Sequence, residues 1–178
     1  MFGIKSAIKD LVEKQKIKNN PIESAKKIGV DISDDCRIIE WPNWGSEPYL
    51  ISIRTHVTIS YGCSFITHDG ATWVFRENEK YKDVVRFGKI AIGNNCFIGA
   101  NVTILPNVTI GDNSVVGACS LVTKNIPSGE VWAGVPAKFI CKTDEYAKKC
   151  LEENPEYDKD NLIKNRKEEI IKIVNRDQ

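Results

Sequence analysis

The most regular feature of the chain is an aliphatic residue at every sixth position from Ile92 onward. The stretch divides into IGNNCF, IGANVT, ILPNVT, IGDNSV, VGACSL and VTKNIP, opening on Ile92, Ile98, Ile104, Ile110, Val116 and Val122. The second position is Gly93, Gly99, Leu105, Gly111, Gly117 and Thr123, glycine in four of six. The fifth is Cys96, Val102, Val108, Ser114, Ser120 and Ile126, small or aliphatic throughout. Two inward positions separated by one residue fit a short strand with one buried face. The Gly and Asn residues between strands fit turns that need positive φ. An α-helix buries positions three and four apart, so a six-residue period drifts around its axis.

Each hexad therefore predicts a strand plus a turn. Three hexads close one triangular coil, and stacked coils bury a shared interior. The fold class is an all-β solenoid, a parallel β-helix. The same phase runs earlier through Ile53, Ile59 and Phe65, preceded two residues back by Ile51, Val57 and Cys63. Further back Ile32 and Ile38 follow Val30 and Cys36, so Cys36, Cys63 and Cys96 are read as small core fillers. Two segments break the rhythm: WPNWGSEPY at 41–49 and DGATWVFRENEKYKDVVRFGK at 69–89. An insertion cannot enter a packed interior, so both are expected to project from a corner, where loops commonly carry binding and catalysis.

The ends read as short helices. Ile4, Ala7, Ile8, Leu11 and Val12 keep a helical period before Pro21 and are expected to cap the open end of the solenoid. After Lys142, TDEYAKKCLEE predicts a helix with Thr143 as N-cap, followed by NLIKNRKEEIIKIVNR. The expected organisation is a helical cap at 1–27, the β-helix at 28–142 with its two loop insertions, and a helical segment at 143–178.

Composition narrows the partners. Lysine plus arginine is 25 against 24 aspartate plus glutamate, a net charge of +1, which attracts neither nucleic acid nor an anionic membrane. No apolar run is long enough to span a bilayer. The N-terminal MFGIKSAIKDLVEKQKIK alternates charged with apolar residues and has no signal-peptide core. None of the six cysteines forms a CxxC pair, and reduced thiols in the cytoplasm are expected.

The run IGNNCFIGANVTILPNVTIGDNSVVGACSLVTKNIPSGEVWAGVPAK resembles the C-terminal coils of hexapeptide-repeat acyltransferases, above all the group of galactoside, maltose and polysaccharide O-acetyltransferases. VTKNIP followed by AGVPAK is the most specific part, and the resemblance covers about residues 30–142. GSEPYLISI and ITHDG further resemble enzymes that modify capsule and lipopolysaccharide. The resemblance implies a left-handed coil, a homotrimer and acetyl-CoA as donor; the hand opposes the usual right-handed crossover and comes from the resemblance alone. It implies O-acetylation of a sugar or polysaccharide precursor in a ternary complex. N-acetylation of an amino sugar and a serine acetyltransferase-like activity are alternatives within the enzyme class. A non-enzymatic trimeric scaffold is the rival outside it, disfavoured by the VTK and GVPAK segments. Metal-dependent carbonic anhydrases share the coil but need three histidines around zinc. This chain has His56 and His68 only, twelve residues apart and so on different faces; no metal is expected.

In the family, a histidine on the loop after the equivalent of VTISYGCSFI is the catalytic base, which implies that role for His68. Neutral imidazole, titrating around ~6.5, can take a proton from an attacking hydroxyl. Its other nitrogen needs an orienting partner, and Glu47 and Asp69 are both open as candidates. An oxyanion donor is expected at a backbone N–H near Gly99 or Ala100. Thr123 and Lys124 match the family's VTK, which meets the CoA pantetheine or phosphates, and Gly117 and Ala118 would offer backbone contacts along the CoA arm. Lys138 matches a basic position that contacts the nucleotide phosphates. Trp44 and Trp73, on the two irregular segments, are candidates to stack on the sugar acceptor. His56 is read as a turn residue.

Overall fold

The computed structural model describes residues 12, 15 and 17–175. Of the expected N-terminal helix, Ile4, Ala7, Ile8 and Leu11 lie outside the described residues, while Val12 is helical. Helix α1 (Pro21–Lys27) follows, with proline at its first turn and the Asn20 side chain accepting the Glu23 amide. Ala25 on α1 is fully buried and joins the core.

The chain then circles through three parallel sheets. Sheet A holds β1 (Asp31–Ile32), β3 (Ile51–Ile53), β6 (Ile90–Ile92) and β9 (Thr109–Ile110). Sheet B holds β2 (Arg37–Ile38), β4 (Thr58–Ile59), β7 (Phe97–Ile98), β10 (Val115–Val116), β12 (Glu130–Ala133) and β13 (Lys138–Lys142). Sheet C holds β5 (Ser64–Phe65), β8 (Thr103–Ile104) and β11 (Leu121–Val122). Ile92 pairs with Ile110, Ile98 with Val116 and Ile104 with Val122, each three hexads on. Among the described strands only β13 runs antiparallel, folding back on β12.

The hexad logic accounts for this pairing. All six opening residues from Ile92 to Val122 are at most 1% exposed, and the fifth-position Cys96, Val102, Val108, Ser114, Ser120 and Ile126 are buried beside them. The turns fall on a left-handed residue at the fourth position: Asn95, Asn101, Asn107, Asn113 and Cys119, with φ of 54° to 64°. Asparagine tolerates this region through its short polar side chain. The inward cysteines also donate to carbonyls of the next coil, Cys63 Sγ to Gly99 O at 3.2 Å and Cys96 Sγ to Gly111 O at 3.1 Å. Burial pushes the Cys36, Cys63 and Cys96 thiols up, as befits fillers rather than nucleophiles.

The two irregular segments differ from each other. Ile32 pairs with Ile53, 21 residues on, so the first coil is only three residues longer than three hexads. The reason is Trp44, six residues after Ile38: it takes the inward position of sheet C, 4% exposed, and Asn43 bridges to Ser64. Its indole stacks on Phe65 at 4.9 Å. Trp44 is therefore a core residue and not a platform for a sugar, a correction to the sequence reading. An aromatic side chain in an aliphatic slot hid the hexad. The second segment is a true insertion. Phe65 pairs with Ile104, 39 residues on, which leaves 21 extra residues between successive strands of sheet C.

The chain divides into two compact units, Met1–Thr143 and Asp144–Gln178. Helix α2 (Thr143–Glu152) starts on Thr143, whose hydroxyl donates to Asn113 O at 2.8 Å; Thr143 is the first helical residue rather than the expected N-cap. In the second unit, α3 (Lys159–Lys164) and α4 (Arg166–Asn175) pack through buried Glu169, which accepts the Asp158 amide at 3.0 Å and the Asn161 side chain at 2.7 Å. Among the described residues no helix is long and apolar enough to cross a membrane.

Candidate active site

The long insertion leaves and re-enters the coil at a narrow neck. Gly88 N donates to Thr67 O at 2.8 Å and Asp69 N to Arg86 O at 2.9 Å, so His68 and Phe87 face each other across an antiparallel bridge. The strand alternation of β5 continues into this neck: Cys63, Phe65 and Thr67 point inward, with Thr67 fully buried. His68 therefore turns outward, and its side chain is 42% exposed.

Glu47 reaches His68 from the end of the first irregular segment. It precedes the 3₁₀ turn Pro48–Leu50 and makes no cap contact there with its side chain. One carboxylate oxygen instead takes two partners, Thr67 Oγ1 at 2.7 Å and His68 Nδ1 at 2.9 Å. The Thr67 hydrogen bond, followed by His68, holds the Glu47 carboxyl below its ordinary value. An ionised carboxylate only accepts, so His68 Nδ1 carries the proton and Nε2 is left with its lone pair.

Stability should report this contact. A carboxyl with a depressed folded pKa stabilises the fold above its unfolded value of about 4.3, and that contribution is lost as pH falls through the lower folded value. Thr67→Val is expected to lower the melting temperature at neutral pH, by a margin that narrows below the ordinary carboxylate range. Thr67→Ser should keep the wild-type profile. A margin unchanged from pH 7 to pH 3 would remove the Thr67 hydroxyl from control of Glu47.

His68 opens onto a cleft of 640 Å³ whose floor includes Ile66, Leu105, Asn107 and Thr123. Ile66, Leu105 and Thr123 occupy the second hexad position on successive strands of sheet C, and within the six hexads from Ile92 this is the one corner where that position is not glycine. The structure thus brings together His68, Glu47 and Thr123, with Lys124 exposed next along the chain. Thr67 was missed by the sequence reading; its signal was the alternation 63, 65, 67.

The other candidates differ in place: Asp69 lines the cleft beside His68, Trp73 lines a smaller pocket that also includes His68, and the rest lie on other corners of the coil. Asp69 accepts the Ala71 amide at 3.0 Å and pairs with Arg86 at 3.2 Å, so its carboxylate serves the loop and Glu47 holds the imidazole. Gly99, Ala100, Gly117 and Ala118 lie at the corner between sheets B and C, whereas His68 lies at the corner between sheets C and A. The Gly99 and Gly117 amides are also consumed, donating to Val116 O and Trp132 O at 2.8 Å, which leaves the Ala100 and Ala118 amides without a described partner. Gly99 is therefore corrected from an oxyanion donor to a coil-packing residue. Lys138 opens β13, opposite Ala133, and is exposed. Trp73 is 75% exposed on the insertion. His56 lies at the corner between sheets A and B, its Nδ1 2.7 Å from Asn95 Oδ1. Among the described residues no group of three metal-ligating side chains converges.

The chain has relatives among known proteins. Residues 89–124 match the family model described as bacterial transferase hexapeptide (six repeats). Protein CapG of Staphylococcus aureus is 46% identical over 154 residues, 85% of this chain and 88% of CapG. Galactoside O-acetyltransferase of Escherichia coli (strain K12) is 56% identical over 51 residues, which cover 29% of this chain and 25% of that protein. A solved structure of galactoside acetyltransferase in complex with coenzyme A aligns over 64% of this chain and 66% of its own, at 31% identity and a TM-score of 0.42. The CapG match over most of both chains, together with the family model on the central coils, shows that this chain belongs to the hexapeptide-repeat acyltransferases.

Proposed function

We propose that the chain is an acetyl-CoA-dependent O-acetyltransferase, acting on a hydroxyl of a sugar or saccharide precursor, and that its coil is left-handed and works as a homotrimer. The observation that carries this reading is His68 at the mouth of the cleft, with Nδ1 held by Glu47 at 2.9 Å and Nε2 left as an acceptor. Nε2 takes the proton of the acceptor hydroxyl as its oxygen attacks the thioester carbonyl. The carbonyl electrons collect on oxygen, and backbone N–H groups stabilise that oxyanion. The tetrahedral centre collapses, the C–S bond breaks, and the imidazolium returns the proton to the departing CoA sulfur. Glu47 is a positioning residue: it fixes the tautomer and favours the imidazolium between the two transfers.

A hydroxyl is a poorer nucleophile than an amine, and a base this firmly oriented favours an oxygen acceptor. The name of the Escherichia coli relative points the same way. The trimer follows the same logic. The amides of Ala100 and Ala118 and the base stand on different corners of one chain, so a neighbouring copy would have to bring the amides to the cleft. Thr123 in the cleft wall, with Lys124 and Lys138 as exposed cations, would hold the CoA arm and its phosphates.

Calorimetric titration with acetyl-CoA tests the donor half. The expected result is about one site per chain, followed by thiol release when saccharides are added. Absence of binding would reject the reading. Lys124→Ala should weaken CoA binding, with the difference shrinking at high salt, because an exposed charge pair is screened within a Debye length of about 10 Å at 0.1 M salt. Equal affinity in the variant would remove Lys124 from the phosphate site.

A further inference from the structure

Beside the main cleft a smaller pocket of 240 Å³ opens against the insertion, and His68 belongs to the walls of both. The remaining wall of the small pocket carries two guanidinium groups, Arg76 and Arg86, and one carboxylate, Asp69. That carboxylate is committed, since Asp69 pairs with Arg86 at 3.2 Å and accepts the Ala71 amide. Arg76 has no carboxylate partner among the described residues. It is held differently: Nη2 donates to Thr72 Oγ1 at 3.2 Å, and Thr72 is 2% exposed. A buried hydroxyl thus anchors one edge of a guanidinium whose other donors have no partner among the described residues. Trp73, three residues before Arg76, lines the same pocket with its indole largely in solvent.

The donor inventory decides what such a wall can hold. A guanidinium offers donors only, in a fork matched to phosphate or carboxylate oxygens. A neutral sugar presents hydroxyls that must also donate, and the one carboxylate on this wall is already taken. With Asp69 and Arg86 cancelling, Arg76 is the net charge of the pocket. An exposed indole beside it supplies an apolar face for a pyranose ring. We propose that Arg76 and Trp73 form an acceptor subsite for a saccharide carrying an anionic group, a phosphate or a carboxylate, next to the hydroxyl presented to His68. This rests on the reading of His68 as the acceptor-side base.

The test is calorimetry on the full chain saturated with CoA, using matched probes in the galacto and gluco series: the methyl glycoside, the sugar 1-phosphate and the uronate. The anionic probes should bind roughly tenfold tighter than the methyl glycoside, the scale of a charge-assisted over a neutral contact. Arg76→Gln should bring the ratio close to one. Lys82→Gln removes the same charge from the same loop, but from a pair with Glu79 outside the pocket, and should leave the ratio unchanged. Phosphate outranking uronate, or the reverse, assigns the anion. The proposal is overturned if the methyl glycoside binds as tightly as the anions, if no probe binds at millimolar concentration, or if the preference survives Arg76→Gln. The CoA titration that precedes each run tests the donor separately: a charge preference without CoA binding would sink the transferase reading and leave this subsite standing.

Discussion

Replacing His68 with alanine should lower turnover by roughly a hundredfold or more, the usual worth of a positioned general base, while acetyl-CoA binds as before. The separation follows from the geometry. His68 is fixed by the loop neck and by Glu47, and no described hydrogen bond or ion pair joins it to Thr123, Lys124 or Lys138, the residues proposed to hold CoA. Loss of the base removes an interaction made only as the proton moves, so kcat falls and the donor affinity stands. Glu47→Gln should cost less, because the amide can still meet Nδ1 but no longer balances the imidazolium. Steady-state kinetics with saturating donor, beside calorimetry of CoA on the same variants, separates the two effects. Wild-type turnover in His68→Ala would end the mechanism; a parallel loss of CoA affinity would move His68 to the donor site.

The coil was legible because its rule is short-ranged and repeated. From Ile92 to Val122 the opening residue of every hexad is aliphatic and at most 1% exposed, so period and burial coincide. Trp44 shows the limit of that rule. It obeys the period but not the chemistry, since the interior at the N-terminal end is wide enough for an indole stacked on Phe65. The 69–89 insertion was legible as an interruption, but its internal structure was not. Its fold depends on neck bonds between residues some twenty apart, such as Gly88 to Thr67, which no local pattern announces. Choosing between Glu47 and Asp69 was likewise beyond sequence. Both are acidic and near His68 along the chain or across it, and the choice is made by Arg86 claiming Asp69 and Thr67 claiming Glu47. One signal did lie in the pattern. Leu105 and Thr123 are the two non-glycine second positions among the six hexads, and they mark the corner where the cleft opens.

A large loss of stability from a single methyl group is expected at Gly99. A Cβ there would stand 2.6 Å from Ala118 N, 2.7 Å from Val116 O and 2.9 Å from Gly117 C. These are all backbone atoms of the next coil, and none can rotate away as a side-chain tip would. Gly99 also ties three coils together: its amide donates to Val116 O and its carbonyl accepts Cys63 Sγ. Relief would require spreading strands that sit about 4.8 Å apart, which weakens those bonds at once. Overpacking a rigid site costs about 1–3 kcal/mol and occasionally more, and a contact with fixed backbone belongs at the upper end. For Gly99→Ala a loss of roughly 3 kcal/mol, at about 2–4 °C per kcal/mol in a chain of this size, lowers the melting temperature by about 6–12 °C. Gly70→Ala is the internal comparison, because a Cβ there meets nothing within 4 Å. It should stay within about 0.5 kcal/mol of wild type. Equal melting temperatures for the two variants would mean that the coils have room to part at this corner, and the close stacking would no longer explain why glycine stands at this position.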